Sequence, residues 1–413
     1  MTEAASQSSR MVARIPAGVW VLGFVSLLMD TSSEMIHGLL PIYLTSVLGA
    51  SALTVGAIEG VAESTALITR IFSGALSDWL GKRKLLTLLG YGLAAATKPV
   101  FPLAASVGWL VVARFVDRIG KGIRGAPRDA LIADIAPADV RGASFGLRQA
   151  LDTIGAFIGP GLAILLMLAS RGDFRLVFWC AVLPAVLCVT LLAVAVREPP
   201  QAARSQRARF PLAPAELKRL GRPFWLVAGV AAVFTLARFS EAFLILRARS
   251  LGLAASFAPG VLVVMNLVYA LSAYPAGALS DRLGRRGVFL AGVALLIAAD
   301  LALGLTPSLA GVAAGLVLWG LHMGFTQGLL AALVADTVPA DLRGTGYGAL
   351  NLVIGLATLA ASLTAGALWD WLGPPATFLA GAGLAAVSLV GIGLASRVLS
   401  SAPAQPDLKP PRA

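Results

Sequence analysis

The chain has 413 residues, of which 58% are hydrophobic and only 13% charged, with a formal net charge of +12. Charged residues make up about 25% of a soluble protein, so this composition excludes a soluble fold and indicates a chain that lies in lipid. The positive charge does not indicate nucleic-acid binding, because the basic residues form short clusters between apolar segments. Cys180 and Cys188 lie too far apart along one apolar segment to form a disulfide.

Apolar segments of membrane-spanning length recur along the whole chain. A spanning helix needs about 20 predominantly apolar residues. Twelve such stretches lie near residues 18–43, 54–73, 85–105, 107–127, 142–169, 174–195, 223–246, 256–279, 288–306, 309–334, 344–369 and 374–396. The first has no signal-peptide cleavage site and is interrupted by Asp30 and Glu34, so we expect it to remain as a membrane helix. The sequence therefore predicts an all-α membrane protein with 12 transmembrane helices.

Basic residues are concentrated in alternate connections and in both tails. The other connections hold only Arg171, Arg175, Arg247 and Arg249. By the positive-inside rule, this asymmetry predicts a multi-pass protein of the inner (plasma) membrane with both termini in the cytoplasm. The predicted units are a tail (1–17), a six-helix bundle (18–196), a polar linker (197–222), a second six-helix bundle (223–397) and a second tail (398–413).

Two motifs occur once in each half of the chain. The segment GALSDWLGKRK (74–84) recurs as GALSDRLGRRG (277–287), and ALIADIAPADVRG (130–142) recurs as ALVADTVPADLRG (332–344). The offsets of 203 and 202 residues agree, so the register holds across a whole half. A parallel repeat of six helices, with the site at the interface between the halves, is typical of alternating-access carriers.

The first repeated motif resembles the cytoplasmic loop signature of the major facilitator superfamily, a G-x-L-a-D-r-x-G-r-k pattern after the second helix. Trp79 stands where the family usually has arginine, and the second copy restores it with Arg282. The resemblance covers essentially residues 15–397. It implies two pseudo-symmetric six-helix bundles that rock against each other about a central substrate site.

The resemblance also implies a conformational latch at the repeated motifs, closed by Asp78. A loop that only sets topology explains the basic residues, but not an aspartate with flanking glycines, twice. In the second motif, Asp134 is expected to pair with Arg141, as Asp336 is with Arg343. The expected latch residues are Gly74, Asp78, Gly81, Lys82, Arg83, Asp134, Arg141, Gly277, Asp281, Gly284, Arg285, Asp336 and Arg343.

Ionisable residues inside membrane helices are functional candidates because each costs roughly 2.5–3.5 kcal/mol at mid-bilayer on insertion scales. Asp30, Glu34 and His37 share one face of the first helix. Joint ionisation of two carboxylates one turn apart in a low dielectric is disfavoured, which suits one of them to exchange a proton. The sequence assigns proton coupling to Asp30, Glu34, Arg118 and Asp152.

The fourth helix carries a cationic face. The segment RIGKG (118–122) resembles the family motif R-x-x-q-G-x-G, whose arginine is assigned to proton transfer, although Lys121 replaces the usual glutamine. Arg70, Asp117, Arg124 and Arg128 are interpreted as structural ion pairs that neutralise one another. Lys98, near the outer end of the third helix, is expected to snorkel towards the interface.

The fifth helix contains the segment GAFIGPG (155–161), which resembles the exporter motif G-x-x-x-G-P-x-x-G-G through Gly155, Gly159 and Pro160. The closing pair of glycines is absent. The family reading of this motif is antiport, which favours efflux. A close-packed, kinked helix is the structural alternative, since glycine and proline are common in membrane helices.

The resemblance implies that helices one, four, seven and ten line the substrate cavity, with polar neighbours on helices eight and eleven. Any of these side chains could instead form a hydrogen bond between helices. The expected cavity residues are His37, Arg114, Arg238, Glu241, Asn266, Trp319, His322, Gln327 and Asn351.

The sequence thus predicts a secondary active transporter, a proton-coupled exporter of a small organic molecule. Proton-driven uptake of an anionic metabolite, a transition-metal or siderophore carrier, and a non-transporting receptor on the same scaffold stay open as alternatives. No enzyme activity is expected, because no nucleophile–base pair, phosphate loop or metal triad is present in the sequence. The expected partners are the substrate, protons and membrane lipids, with no cofactor, no metal site, no nucleic acid and a monomeric chain.

Overall fold

A computed structural model describes residues 14–137, 139–198, 212, 214–338 and 342–400. Within these ranges, side chains are described except at residues 278, 281–283, 285–286, 327–337, 343–344 and 392–400. The main helices are α1 (Ala17–His37), α2 (Ala52–Leu80), α3 (Arg83–Thr97), α4 (Val107–Ile135), α5 (Arg141–Ala169), α6 (Phe174–Ala195), α7a (Gly221–Leu236), α7b (Ala242–Ser250), α8 (Gly260–Leu283), α9 (Arg285–Leu305), α10 (Leu309–Thr337), α11 (Arg343–Leu372) and α12 (Pro374–Ser400).

Within the described part of the chain, eight helices are long and apolar enough to cross a membrane. Helices α2 and α4 have 29 residues each but carry several charged residues, and α3 and α7a are shorter. The charged residues in the middle of α2 and α4 face other helices: Glu59 is 1% exposed and Asp117 is 4% exposed. The 12-helix fold is therefore retained despite charges that lower the hydropathy of these helices.

Three of the predicted helices are interrupted. Helix α1 ends at His37 and continues as a short turn (Leu40–Ile42) and a π-helical segment (Tyr43–Val47). Helix α3 is followed, beyond Pro99, by Val100–Leu103, as expected where proline lacks an N–H and clashes with the preceding turn. The seventh predicted span is divided into α7a and α7b by residues 237–241, which lie outside both helices.

The two halves use the same internal packing. In the first half α1 packs on α5 and α6, α4 packs on α2 and α3, and α3 packs on α6. In the second half α7a packs on α11 and α12, α10 packs on α8 and α9, and α9 packs on α12. Each pair has its counterpart six helices later, so the sequence repeat corresponds to a repeat of three-dimensional structure.

We call the end of the molecule that carries the turns at 80–83 and 135–141 the motif face, and the opposite end the far face. Helix α2 packs along α11, and α5 packs against α8. On the far face the Asp370 carboxylate at the end of α11 accepts hydrogen bonds from the N–H groups of Ala52 (3.1 Å) and Leu53 (2.9 Å), which begin α2. Helix α7b also packs against residues 40–42 and against α2. These contacts seal the far face between the halves.

Glycines let the halves approach closely at this seal. A Cβ atom at Gly60 would lie 3.0 Å from the Ser362 Cβ, and one at Gly366 would lie 2.6 Å from the Leu53 Cα. The distance at Gly366 is too short for a real side chain, and the distance at Gly60 is tighter than most real Cβ contacts. The α2–α11 contact is therefore specified by residues that have no side chain, as in other close helix pairs in membranes.

Candidate functional site

A cavity of about 410 Å³ lies between the two halves, a volume within the range of small-molecule sites. Both halves contribute to its wall. The lining residues are Glu34, His37, Glu59, Glu63, Leu67, Arg118, Lys121 and Ala156 from the first half, and Phe234, Thr235, Arg238, Phe239, Ser240, Glu241, Asn266, Trp319, Ile354 and Thr358 from the second.

His37 joins α1 to α2 at the wall of the cavity. Its Nδ1 lies 3.5 Å from the Oε2 of Glu34, and its Nε2 lies 3.4 Å from the Oε2 of Glu59. The same Glu59 oxygen accepts a hydrogen bond of 2.8 Å from Arg114 on α4. His37 therefore links the carboxylates of α1 and α2, and through Glu59 the guanidinium of α4, in one cluster at the cavity wall.

Arg118 and Lys121 bring the cationic face of α4 to the same cavity. The Nη1 of Arg118 lies 3.0 Å from the Oε1 of Glu63 on α2. Lys121 is exposed. The carboxylates and the arginine that the first half contributes to the wall are thus ion-paired within that half.

Asp30 lies one turn from Glu34 but in a different environment. Its carboxyl group lies beside that of Asp152 on α5, and one of its oxygens lies 4.0 Å from the Nη2 of Arg124. Asp152 also pairs with Arg148, at 3.4 Å. The acidic pair that the structure brings together is therefore Asp30 with Asp152, not Asp30 with Glu34.

Two of the arginines interpreted as structural ion pairs, Arg70 on α2 and Arg128 on α4, share one carboxylate. Arg70 lies 3.3 Å and Arg128 lies 3.0 Å from the carboxylate of Asp129. The guanidinium of Arg124 stacks over the ring of Tyr91, 4.6 Å from its centre. These contacts join α2, α3 and α4 towards the motif face.

The prediction that Lys98 snorkels is wrong. Its side chain is buried, and its Nζ lies 2.9 Å from the Asp117 carboxylate and 3.1 Å from the Ser33 hydroxyl. Pro99 ends α3 just where Lys98 can turn inward. The residue therefore belongs to the buried charge network of the first half.

Two expected cavity residues lie behind the wall. Arg114 is buried against Glu59 because its face of α4 packs on α2. His322 is fully buried, with its Nδ1 2.9 Å from the carbonyl oxygen of Gly292 and its ring against Phe234. Close packing of α9 on α10 at Gly292 covers this histidine. Both predictions of a place in the lining are wrong.

Asn351 lies on α11 one turn before the lining residue Ile354 and is not part of the lining. The side chain of Gln327 lies outside the described residues. The other expected cavity residues form the wall: His37, Arg238, Glu241, Asn266 and Trp319. Glu34 and Arg118, expected in proton coupling, line it as well.

The latch motif of the first half is centred on Arg83. This side chain pairs with Asp78 at 3.5 Å, with Asp134, and with the carbonyl oxygen of Ala130 at 2.9 Å. Asp134 therefore pairs with Arg83, in contrast to the expected pairing with Arg141, because α3 begins beside the end of α4. Gly81 ends α2 with φ +65°, a left-handed conformation that favours glycine.

The other glycines of the motif fit its two copies differently. A Cβ at Gly74 would lie 3.4 Å from the Ala126 Cβ, so Gly74 lets α2 approach α4. Gly284 has φ +82°, whereas Gly277 has open space around it. Four expected latch residues of the second half have side chains outside the described residues: Asp281, Arg285, Asp336 and Arg343.

The exporter-like motif of α5 packs on α1. A Cβ at Gly159 would lie 2.6 Å from the Thr31 carbonyl oxygen and 2.9 Å from the Glu34 Cβ, and one at Gly155 would collide with the Leu27 carbonyl group. Pro160 lies within the helix. These glycines therefore place the backbone of α5 directly behind the acidic face of α1.

Several residues of the site were not among the expected site residues. Glu59 and Glu63 show the same one-turn spacing as Asp30 and Glu34 and could have been assigned by that signal. Phe234 and Phe239 give no signal, because phenylalanine in a membrane helix is ordinary. Asp300 on α9 is a further charged residue that was not expected, and it is not part of the cavity lining. It is fully buried, and neither carboxyl oxygen has a hydrogen-bond partner among the described residues.

Comparison with known proteins agrees with this architecture. The family model of the Major Facilitator Superfamily matches residues 22–266 and 239–413. An MFS-type transporter of Methanocaldococcus jannaschii, itself uncharacterized, is 34% identical over 377 residues, which is 90% of this chain and 92% of that protein. The chain belongs to the major facilitator superfamily, whose members are membrane transporters.

More distant similarities connect the chain to three proteins with more specific names. The quinolone resistance protein NorA of Staphylococcus aureus is 26% identical over 187 residues, or 45% of this chain and 47% of NorA. A bacterial homologue of the human lysosomal transporter Spinster, in an inward-facing unoccupied conformation, matches with a TM-score of 0.73 at 18% identity and covers 94% of this chain and 98% of its own. The nucleoside transporter NupG matches with a TM-score of 0.75 at 12% identity, covering 92% and 100%.

Proposed function

We propose that this transporter is a proton-coupled exporter of a small organic molecule, working by alternating access in the inner membrane with both termini in the cytoplasm. The observation that carries the proposal is the position of His37, which lines the central cavity and bridges the carboxylates of Glu34 and Glu59. The similarity of half the chain to NorA supports export.

The proposed cycle uses the two acidic groups of α1 in series. In the state described here the far face is sealed by α2 against α11, and substrate would occupy the central cavity. A proton arriving at the His37 cluster or at the Asp30–Asp152 pair changes the charge of a group packed between helices of the first half. A charge change favours whichever of the inward-open and outward-open states accommodates the new charge better. Protonation can therefore drive the transition in one direction and substrate binding the transition in the other.

The test separates coupling from binding. A thermal-shift screen of the purified protein against drugs and metabolites first selects a compound that binds. Proteoliposomes then report transport of that compound with and without a pH gradient, and its exchange across the membrane without any gradient. We expect Asp30→Asn, Glu34→Gln and His37→Gln to lose gradient-driven accumulation and to retain exchange, because their role is in proton coupling.

Asp173→Asn is the matched control, since Asp173 is an exposed carboxylate at the start of α6, and it should behave as the unaltered protein does. Gradient-driven accumulation that persists in all three of these variants would refute the proposal. Everted vesicles decide the direction of flux: accumulation inside them supports export from the cytoplasm, and loss from them indicates proton-driven uptake.

A further inference from the structure

The unwound segment of the seventh helix presents two opposite charges to the cavity. Arg238 and Glu241 both line it. Neither takes part in an ion pair with any residue that the structure describes, and the Nε of Arg238 has no hydrogen-bond partner there. The charged groups of α1, α2 and α4 at the cavity are, by contrast, largely paired within the first half.

The ends of the two half-helices explain how these charges are tolerated without an ion pair. Arg238 follows the C-terminus of α7a at Leu236, and Glu241 immediately precedes the first residue of α7b, Ala242. A helix C-terminus carries partial negative charge and an N-terminus partial positive charge. Each side chain is therefore stabilised by the nearest helix end, and its charged group stays available to a ligand.

Aromatic rings form the wall between and around the two charges. Phe234 lies beneath the guanidinium of Arg238, 5.7 Å from ring centre to Cζ. Phe239 lies between the two charged residues in sequence and packs on Trp319, with centroids 5.6 Å apart. Trp319 is only 1% exposed, lines the cavity, and has an Nε1–H group that finds no acceptor in the described part of the protein.

These features select a ligand by charge. A purely anionic compound would meet the unpaired carboxylate of Glu241, and a purely cationic compound would meet the unpaired guanidinium of Arg238. A compound with both charges satisfies both residues, and an acceptor oxygen next to its anionic group can take the N–H of Trp319. The geometry points to an aromatic zwitterion as the substrate class, its carboxylate on Arg238, its ammonium on Glu241 and its ring against Phe234, Phe239 and Trp319.

Two sets of matched ligands test this assignment by isothermal titration calorimetry on the full chain in detergent. The first set is ciprofloxacin, its methyl ester and its N-acetyl derivative; the second is the dipeptide Phe-Phe with the same two modifications. Each ester lacks the anion and each acetyl derivative lacks the cation. In at least one set we expect the zwitterion to bind about tenfold or more tightly than both derivatives, because each derivative loses one charge-assisted contact.

Charge-removing variants then assign each contact to a residue. Arg238→Gln should bind the zwitterion no better than the ester, and Glu241→Gln should bind it no better than the acetyl derivative. Arg249→Gln is the matched control, because Arg249 is exposed at the other end of α7b, and it should keep the full preference. If Arg238→Gln does not fold, Arg238→Lys, which keeps the charge, should retain the preference over the ester.

The assignment is overturned if neither zwitterion binds, if a singly charged derivative binds as well as its parent in both sets, or if both variants keep the unaltered selectivity. The inference rests on the proposed function, because it assigns a substrate class to the same cavity. The two proposals fail separately. If the protein binds zwitterions selectively but does not transport them with a pH gradient, proton coupling alone is refuted. If a singly charged compound binds more tightly than every zwitterion and is transported with the gradient, the substrate class alone is refuted.

Discussion

The seal on the far face contains one polar link whose removal should shift the conformational equilibrium. The Asp370 carboxylate of α11 accepts the N–H groups of Ala52 and Leu53 at the start of α2. The N-terminal N–H groups of a helix have no partner within their own helix, so the carboxylate supplies acceptors that this end of α2 otherwise lacks. Because the link joins the halves, it exists only while the far face is closed.

The size of the shift follows from the two hydrogen bonds. Removing a side-chain acceptor from a helix N-terminus costs about 1 kcal/mol, within a range of about 0.5–2 kcal/mol, and the exposure of Asp370 argues for the lower half of that range. Asp370→Ala should destabilise the closed far face by about this amount and leave the open form unaffected. The ratio of open to closed molecules should therefore rise about fivefold or less.

Spin labels on opposite halves can measure this ratio. Cysteines at Ser106, before α4, and Leu309, at the start of α10, lie at the far face on different halves and are both exposed. With Cys180 and Cys188 replaced by alanine, pulsed electron–electron double resonance gives the distribution of distances between the labels. We expect Asp370→Ala to raise the long-distance population.

Asp173 provides a control matched in chemistry. Its Oδ1 accepts the N–H groups of Arg175 (2.9 Å) and Leu176 (3.2 Å) at the start of α6, within one half. Asp173→Ala should lower the melting temperature without changing the distance distribution. An unchanged distribution in Asp370→Ala, or an equal change in Asp173→Ala, would refute the view that Asp370 acts between the halves.

Three further predictions concern buried groups. Lys98→Met should lower the free energy of unfolding by about 3–5 kcal/mol because it leaves the Asp117 carboxylate without its lysine partner in the interior. In thermal unfolding, the double variant Lys98→Met/Asp117→Leu should recover much of this loss, and an unchanged melting temperature in the single variant would contradict the prediction. Asp300→Asn should keep the melting temperature within a few degrees. An ionised carboxylate without a partner would cost several kcal/mol, so replacing it with a neutral amide should remove no stabilising charge; a large fall in melting temperature would contradict this. Gly56→Ala should raise the open population in the spin-label assay, because its Cβ would strike the backbone of α11 and overpacking costs about 1–3 kcal/mol. Gly92→Ala is the control: its Cβ meets no atom within 4 Å, and it should leave the open population unchanged.

The architecture followed from the sequence in most respects. The twelve apolar segments, the agreement of the two repeat offsets and the loop motif predicted the fold, and the repeated helix packing confirms it. These features are local or periodic, so they can be read without knowledge of tertiary contacts. The breaks at Pro99 and at residues 237–241 were missed, because a gap of a few residues hardly changes the hydropathy of a 20-residue window.

The site was only partly predictable, for a geometric reason. Helical spacing correctly placed Glu34 and His37 on one face, and both line the cavity. It also placed Asp30 with Glu34, yet Asp30 meets Asp152 of α5. A helical wheel gives the direction of a side chain but not the neighbouring helix that it meets there.

The charges of the seventh helix show the same division. The sequence alone determined that Arg238 and Glu241 stand three residues apart in a membrane segment, which already marks them as costly and worth attention. Only the tertiary structure decided that the helix is interrupted between them and that aromatic rings line the cavity around them. It also decided that the carboxylates and the arginine that the first half contributes to the cavity are paired within that half. The burial of a charged side chain and the identity of its ion-pair partner depend on how helices that are distant in the chain pack together. The order of residues along the chain does not state which helices are neighbours.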